Sequence, residues 1–321
     1  MTTAPVSGEG GALGVSSPAL RAAAGRALVG RIRNGIPTAR PPCEAAGMRL
    51  HLVDGTFELF RAHYSKRPAH PMKATRGLVQ SFLGLVANPA EQVTHVAIAF
   101  DNPIRSFRND LFPGYKTDEG VPPDLRAQFD AAEDAMRAVG AVVWSMREFE
   151  ADDALATAAA RYGPEVEQVR ILTPDKDLGQ CLEADHVVQV DVLRKRVVNE
   201  QALIERRGIR PESIPDYLAL TGDDADGIPG LPGFGERTAS ALLAKFVHLE
   251  FIPLDVRAWP VSIRGADRLL ATLRERLPDV LLYRQLATLR RDVPLRESLD
   301  DLRYRRPDGA AVLATSTRDL L

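Results

Sequence analysis

Residues 220–238 read LTGDDADGIPGLPGFGERT, and this stretch joins two chemically distinct features. Its first half carries closely spaced carboxylates, which suit hard divalent cations. Its second half is a glycine-rich loop that runs into a predicted helix, where exposed backbone N–H groups suit a phosphate. A cation site beside a phosphate site favours chemistry on phosphodiesters.

Several acids outside residues 220–238 directly end or follow an apolar strand, and this pattern predicts their position in the fold. The sequence predicts four strands separated by three helices, with the strands at 49–54, 94–101, 140–144 and 169–173 and the helices at 75–87, 124–138 and 151–161. This alternation predicts an α/β fold with a mostly parallel central sheet flanked by helices, a PIN-like or resolvase-like core. Ligands of such sheets bind beyond the carboxyl ends of the strands. Asp54, Asp101 and Asp175 each end or follow a strand, so we expect them to share one site.

The pattern after residue 200 is helical. We expect short helices at 200–207, 211–220, 236–246, 265–275 and 278–289. The predicted organisation is a disordered extension (1–47), an α/β catalytic core (48–199), a helical subdomain (200–300) that contains a helix–hairpin–helix element, and a C-terminal tail (301–321). The extension is rich in Ala, Gly, Pro and Arg and shows no apolar period.

Composition narrows the class of protein. The chain has 321 residues, of which 45% are hydrophobic, and a net charge of −2. A basic footprint is usual for nucleic-acid binders, but the carboxylates of a metal site would cancel bases placed elsewhere. The two cysteines exclude a disulfide framework and a cysteine zinc site. We see no membrane span or secretory signal, and we expect a cytoplasmic location.

Acids recur in short clusters. One acid in a first helical turn would complement the helix dipole, and Asp is also common in turns. Several acids this close, however, need a counter-charge. Together they exceed what one Mg²⁺ could use and suit two cations roughly 4 Å apart. Mg²⁺ fits an all-oxygen shell, with Mn²⁺ as the alternative. The candidate ligands are Asp54, Asp101, Glu150, Asp152, Asp153, Asp175, Asp177, Asp223 and Asp226.

Basic, aromatic and glycine residues supply candidate contacts to nucleic acid. A loop after the second strand would close over a strand, with Tyr115 stacking on a base and Lys116 on the scissile phosphate. The alternative is an ordinary solvated loop or, for the glycines, a plain tight turn. The candidate DNA-binding residues are Arg105, Arg108, Tyr115, Gly230, Gly233, Gly235, Arg237 and Lys245.

Five ordered stretches resemble the 5′–3′ exonuclease and flap endonuclease family, which includes the N-terminal exonuclease domain of bacterial DNA polymerase I and stand-alone relatives. The resemblance spans roughly 49–299 and rests on HLVDGTFELFRAHY, AIAFDNPIRSFRNDLFPGYK, EADDALATAA, LTPDKDLGQ and LTGDDADGIPGLPGFGERTAS. We expect a stand-alone, monomeric enzyme without a polymerase domain, since only about 70 residues follow the hairpin helix. Roles in DNA replication and repair are also implied.

The resemblance further implies residue roles. Asp54, Asp101, Glu150 and Asp152 would hold the first metal, with Asp153 nearby. Asp175, Asp177, Asp223 and Asp226 would hold the second. Lys116 would stand at the base of a helical arch at about 105–130, and the hairpin loop would bind duplex DNA through K⁺. Two positions depart from the family pattern: Glu119 stands where relatives often have Arg, and Gly227 where they often have Asn.

The predicted function is a metal-dependent 5′–3′ exonuclease and flap endonuclease. Its substrate would be DNA with a 5′ flap, a nick or a duplex 5′ end, and also an RNA primer–DNA hybrid. A PIN-like RNase would normally lack the hairpin, and a non-catalytic DNA-binding relative would tolerate loss of the acids. A Mg²⁺-dependent phosphatase would need a nucleophilic Asp after the first strand, which Asp54 does not exclude.

Overall fold

The computed structural model describes residues 47–260 and 263–307. The predicted disordered extension therefore lies outside the described residues except for Gly47, as do the last fourteen positions of the predicted tail. Among the helices of the described ranges, none is long and apolar enough to cross a membrane.

Six strands form one sheet in the order β3-β2-β1-β4-β5-β6, and all neighbouring pairs are parallel except β5 and β6. The central strands are almost wholly buried because helices cover both faces of the sheet. The strands are β1 (Arg49–Asp54), β2 (His95–Asp101), β3 (Val142–Met146), β4 (Gln168–Leu172), β5 (Val187–Asp191) and β6 (Arg196–Val198).

The strand order reverses direction at β1, which defines the binding edge of the sheet. From β1 the chain builds outward through β2 and β3, then crosses to the other side of β1 and continues with β4 and β5. The loops after β1 and β4 therefore lead away in opposite directions and leave a crevice at the carboxyl ends of these two strands.

Helices pack on both faces through the alternation of side chains along the strands. On one face, α1 (Gly55–His63), α2 (Lys73–Ala87) and α5 (Phe129–Ala138) form a core with Val53, Ile98 and Phe100. On the other, α6 (Ala151–Tyr162) forms a core with Leu50, Leu52 and Ala97. Two one-turn helices, α3 (Arg108–Leu111) and α4 (Pro123–Arg126), lie in the segment predicted to form an arch.

A third core belongs to the helices after residue 200. These are α7 (Glu200–Arg207), α8 (Ile214–Thr221), α9 (Glu236–Phe246), α10 (Ala266–Glu275) and α11 (Leu277–Ala287). All five lie where helices were predicted, although residues 211–213 form a 3₁₀ turn before α8. The predicted helix 124–138 is divided into α4 and α5.

The sequence missed α1, β5 and β6. The predicted tail also begins inside the core, because Leu302 is buried and Arg303 forms a bridge with the first residue of β2, His95. Segment 289–302 adds apolar residues to the core beneath α6.

Candidate metal centre and phosphate-binding loop

Asp54 and Asp101 end adjacent strands, and backbone groups hold both carboxylates in place. Asp54 Oδ1 accepts a hydrogen bond from the Phe57 N–H at 2.8 Å, which caps the start of α1, and Oδ2 accepts one from the Thr173 hydroxyl at 3.0 Å. Asp101 accepts the N–H of Ala151 at 2.7 Å, at the start of α6. Strand ends and helix starts thus fix these acids at the crevice.

A second group of acids comes from the 3₁₀ turn after β4 and from the loop after α8. Asp177, Asp223 and Asp226 each offer a carboxylate oxygen within 4.8 Å of the other two. Asp177 Oδ1 is buried and, within the described residues, has no hydrogen-bond partner. A buried acceptor without a partner is costly, and a cation would satisfy it. The donor set contains only oxygen, which fits Mg²⁺ or Mn²⁺.

Asp175 connects the two groups of acids electrostatically. Its charge helps to raise the pKa of Asp54 and Asp152 in the first group, and of Asp177 and Asp226 in the second. Its Oδ1 accepts the N–H of Asp177 at 2.9 Å. The two groups of acids predicted from the sequence therefore lie close together, and Asp175 acts on both of them.

Without a cation, this convergence disfavours ionisation. Burial, followed by the nearby charges of Asp101 and Asp175, raises the pKa of Asp54 to about 7. Burial also raises the pKa of Asp152 well above its ordinary value, and the charges of Asp175 and Asp54 raise it further. Bound cations would remove this penalty, because they supply the missing counter-charge.

Lys116 lies directly beside the acids. Its Nζ is 3.0 Å from Glu150 Oε2 and 2.9 Å from Asp226 Oδ1. Burial would lower the pKa of Lys116, but the charges of Glu150 and Asp226 raise it well above the ordinary value. The side chain is therefore a fixed ammonium at the edge of the site.

The Lys116 loop sits close against the acid-rich loop. The Lys116 N–H donates to the Asp226 carbonyl at 3.1 Å. A Cβ on Gly227 would lie 2.2 Å from the Gly114 carbonyl oxygen, and its φ is +72°. Glycine at this position, where the family pattern often has Asn, allows the two loops to touch.

The surroundings of Asp153 and Arg108 contradict the roles predicted for them, which were metal ligand for Asp153 and DNA contact for Arg108. The Arg108 guanidinium makes a bidentate pair with Asp153 at 2.7 and 2.8 Å, and both side chains are almost fully buried. Asp153 also accepts the backbone N–H groups of Glu150 and Arg290. Its oxygens are fully used inside the protein, so the pair joins the Arg108 segment to α6 and has no access to a ligand.

Tyr115 and Glu150 are also more enclosed than the sequence indicated. The Tyr115 ring is 4% exposed, and its hydroxyl donates to Glu150 at 3.2 Å, an arrangement that does not fit stacking on a base. Glu150 accepts from the Ser106 hydroxyl as well, and the charges of Lys116 and Arg108 outweigh its burial and lower its pKa to about 2. Glu150 thus holds Lys116 in place.

A cleft of about 600 Å³ leads to the first group of acids. Its walls include Asp54, Asp101, Asp152, Asp175 and Lys116, all of them predicted from the sequence. Phe57 and Phe60 of α1 also line it, and the sequence reasoning missed them. Their spacing of three residues on a helix that follows an acid-ended strand was the available signal.

The glycine loop shows which of its residues can meet a ligand. Gly230 is buried, and a Cβ there would lie 2.4 Å from the Gly222 backbone nitrogen, so its predicted DNA contact is wrong and it serves close packing instead. Gly233 and Gly235 are exposed. Gly235 is the N-cap of α9 and supplies no capping side chain, which leaves the first N–H groups of α9 available to an anion.

The remaining basic candidates differ in their surroundings. Arg237 is exposed in the first turn of α9. Lys245 lies near the other end of α9 and donates to the Ala258 carbonyl at 2.7 Å. Arg105 is exposed and pairs with Asp110 at 2.8 Å. Of these three, only Arg237 lies beside the loop.

The mostly parallel sheet carries acids where its strand order reverses, and a helical unit with a glycine hairpin follows it. Comparison with protein-family models assigns this combination to one class of proteins. The family described as 5'-3' exonuclease, N-terminal resolvase-like domain, matches residues 49–208, and that described as 5'-3' exonuclease, C-terminal SAM fold, matches 209–310. The chain belongs to the 5′-3′ exonuclease family.

Relatives and solved structures are consistent with this membership. DNA polymerase I of Bacillus caldotenax is 35% identical over 83% of this chain, which spans only 31% of the polymerase. The 5'-3' exonuclease of Aquifex aeolicus is 28% identical over 81% of this chain and 88% of its own length. T5 5'-exonuclease with bound zinc shares the fold at a TM-score of 0.61, with 20% identity over 75% of this chain and 89% of that one.

The fold also extends to a structure solved with DNA. The catalytic core of Rad2 in complex with DNA substrate aligns at a TM-score of 0.54 and 15% identity, over 87% of this chain and 91% of that chain. At these identities the two structural comparisons establish the fold alone.

Adding divalent ions is expected to raise the melting temperature, and more so at pH 8 than at pH 5. The pKa of Asp54 rises from 3.8 to about 7 on folding, so the metal-free fold loses stability as pH increases through that window. Cations bind the deprotonated acids. At saturating Mg²⁺ we expect a gain of about 5–10 °C at pH 8.

Thermal unfolding in EDTA, Mg²⁺ and Mn²⁺ at the two pH values measures this gain. Equal melting temperatures with and without divalent ions at pH 8 would show that the acids do not form a cation site.

Proposed function

We propose that this protein hydrolyses phosphodiester bonds of DNA as a 5′–3′ exonuclease and flap endonuclease that uses two divalent cations. The observation that carries the proposal is the convergence of two groups of carboxylates, joined by Asp175, beside the fixed ammonium of Lys116. Family membership and the exposed N–H groups at the start of α9 support it.

The two groups of acids would hold the two cations. Asp54, Asp101 and Asp152 would serve the first, Asp177, Asp223 and Asp226 the second, and Asp175 lies where it could serve either. Glu150 would contribute mainly by positioning Lys116. Cations bound there supply Lewis-acid stabilisation for an in-line displacement at phosphorus. Mg²⁺ is the proposed physiological ion because the ligands are all oxygens.

Lys116 would act on the phosphate that is cut. A positive group fixed next to the acids can stabilise negative charge that develops on the phosphoryl oxygens. Its contacts with Glu150 and Asp226 hold it before substrate arrives, so little reorganisation is needed. Its place on the wall of the 600 Å³ cleft puts this charge where a strand would enter.

The glycine loop and the first residues of α9, positions 230–237, would hold the duplex beside the cut, and we call this segment the α9 loop. The free N–H groups at the start of α9 and the side chain of Arg237 suit backbone phosphates, whose recognition does not depend on sequence. By family resemblance, we also propose that K⁺ binds at this loop. On the same ground we propose that the protein is a monomer and that it also acts on RNA primer–DNA hybrids.

Cleavage of 5′-labelled DNA tests the function. Flap, nicked and single-stranded substrates are incubated with Mg²⁺, and with EDTA as a matched control. We expect products that require Mg²⁺, and faster cutting where a 5′ end adjoins a duplex. Uncut DNA in Mg²⁺ would contradict the proposal, and cleavage that persists in EDTA would contradict its cation requirement.

Replacing Gly235 by Val is expected to weaken duplex binding with only a small loss of stability, which arises because Val is a poorer N-cap than Gly. A Cβ at Gly235 meets no atom within 4 Å, and the backbone there is extended, so Val fits the protein but obstructs phosphate at the start of α9. Gly233 is less suitable, because its φ is +87°. We expect roughly tenfold weaker affinity, equivalent to the loss of about 1.4 kcal/mol.

Affinity for flap DNA and cleavage of bis(p-nitrophenyl) phosphate, a small phosphodiester, are compared for this variant. Gly84→Val, another substitution into open space, on α2, is the matched control. Equal duplex affinity of Gly235→Val and the control would remove the α9 loop from the binding site.

A further inference from the structure

A second cavity shares a wall with the metal centre, and arginines form its opposite side. Its volume is about 380 Å³. Asp175, Lys176 and Asp223 lie on the shared wall. The arginines come from the β5–β6 hairpin and from the last turn of α7, and we call them the arginine pocket: Arg194, Arg196, Arg206 and Arg207.

Little in the fold neutralises these charges. The buried Asp191 pairs with Arg194 at 2.9 Å and lies 4.0 Å from Arg196. On the shared wall, Asp223 is already paired with Lys176 at 2.8 Å. Asp175 also faces the cavity, but its charge would be neutralised by cations at the metal centre. The arginine pocket then keeps an excess of positive charge.

Two of the arginines make few contacts within the described part of the fold, and the ion pair of Arg196 with Asp191 is 4.0 Å long. Among the side-chain hydrogen bonds of residues 47–260 and 263–307, none is donated by Arg196 or Arg206. Partial burial lowers the pKa of Arg206, and the charges of Arg207, Arg196 and Arg194 lower it further, which shows that like charges face one another. Solvated arginines on one surface helix would need no explanation, but here two separate elements bring them together around a cavity.

One arginine of the pocket also contacts α8. The Arg207 guanidinium lies over the Tyr217 ring, 5.2 Å from its centroid. The pocket thus adjoins the acids on one side and α8, the helix that leads into the acid-rich loop, on the other.

Arginine suits the phosphodiester backbone better than other anions of similar size. Its planar guanidinium donates paired hydrogen bonds to phosphate oxygens. An acidic protein would need an exposed docking surface, whereas this cavity opens beside the acids that are proposed to cut a phosphodiester. Nucleic acid already placed at the metal centre is the anion within reach.

We propose that the arginine pocket binds backbone phosphates of the nucleic-acid strand held at the metal centre. This inference rests on the proposed function and extends it, because it assigns a path to the strand beyond the cut. Contacts to phosphate position the strand without reading its sequence.

The double variant Arg196→Gln/Arg206→Gln tests the pocket. Affinity for flap DNA is measured across salt concentrations with Mg²⁺, in an Asp175→Asn background, in which we expect cutting to be about 10³-fold slower. Each phosphate contact contributes about 0.9 to the slope of log K against log salt, so we expect the slope to fall by about 1–2. At 0.1 M salt we expect roughly tenfold weaker binding. The melting temperature should change little, since within the described residues neither side chain donates a hydrogen bond and Arg196 reaches Asp191 only at 4.0 Å.

Arg303→Gln, in the same background, is the control for the loss of an exposed arginine away from the pocket, since Arg303 pairs with Asp300 and bridges the first residue of β2, on the side of β1 that faces away from β6. With Asp175 intact, the double variant should cleave bis(p-nitrophenyl) phosphate as the unmodified protein does. If the unmodified protein cuts DNA and the double variant keeps the control's affinity and salt slope, the pocket inference is wrong and the proposed function stands. If the unmodified protein cuts no DNA, the proposed function itself fails.

Discussion

Asp175→Asn is expected to lower the rate of DNA cleavage by about 10³-fold, because the loss of roughly 4 kcal/mol of cation-dependent stabilisation corresponds to that factor. Asp175 is the acid whose charge acts on both groups of carboxylates. Its replacement therefore affects both proposed cation sites at once. Duplex affinity should not fall, since the change removes a negative charge and leaves the α9 loop intact.

Single-turnover cleavage and equilibrium binding separate these effects. Thermal unfolding adds a readout that does not depend on activity: in EDTA the variant should be more stable than the unmodified protein, because one repelling charge is gone. The stabilisation by Mg²⁺ should shrink. Asp134→Asn, an exposed acid on α5, is the matched control. If cleavage and duplex affinity fell by the same factor, Asp175 would belong to DNA binding instead.

The convergence of acids was predictable because it follows from local pattern. An apolar run that ends in Asp specifies a buried strand, and parallel strands bring their carboxyl ends to one edge. Asp54, Asp101 and Asp175 could be placed together without knowledge of any side-chain contact. The helix that follows Glu150 brings Asp152 to the same edge for the same reason.

What failed depended on contacts between distant segments. Asp153 has the same sequence signature as Asp152, yet it faces the interior, where Arg108, 45 residues earlier, meets it. Periodicity shows which residues share a helix face but does not identify the partner on that face. The arginine pocket was missed because β6 is a three-residue edge strand whose exposed residues, such as Arg196, read as a loop.

Arg108→Met is expected to destabilise the fold by about 3–5 kcal/mol, because it leaves Asp153 buried without its ionic partner. The carbonyl of Leu286 also loses a donor at 2.7 Å. For a domain of this size the melting temperature should fall by roughly 10 °C. Thermal or urea unfolding measures the change. Arg105→Met removes an exposed pair with Asp110 and should cost no more than about 1 kcal/mol.

The double variant Arg108→Met/Asp153→Asn decides between a structural and a cation-binding role for Asp153. An amide oxygen can still accept the N–H groups of Glu150 and Arg290 but carries no buried charge, so the second substitution should restore part of the lost stability. Asp153→Asn alone should keep the stabilisation by Mg²⁺, whereas Asp175→Asn should lose much of it. If Asp153→Asn abolished that stabilisation, Asp153 would be a cation ligand and the buried pair would not be its main role. If the double variant were less stable than Arg108→Met, the charge of Asp153 would have some other partner in the fold.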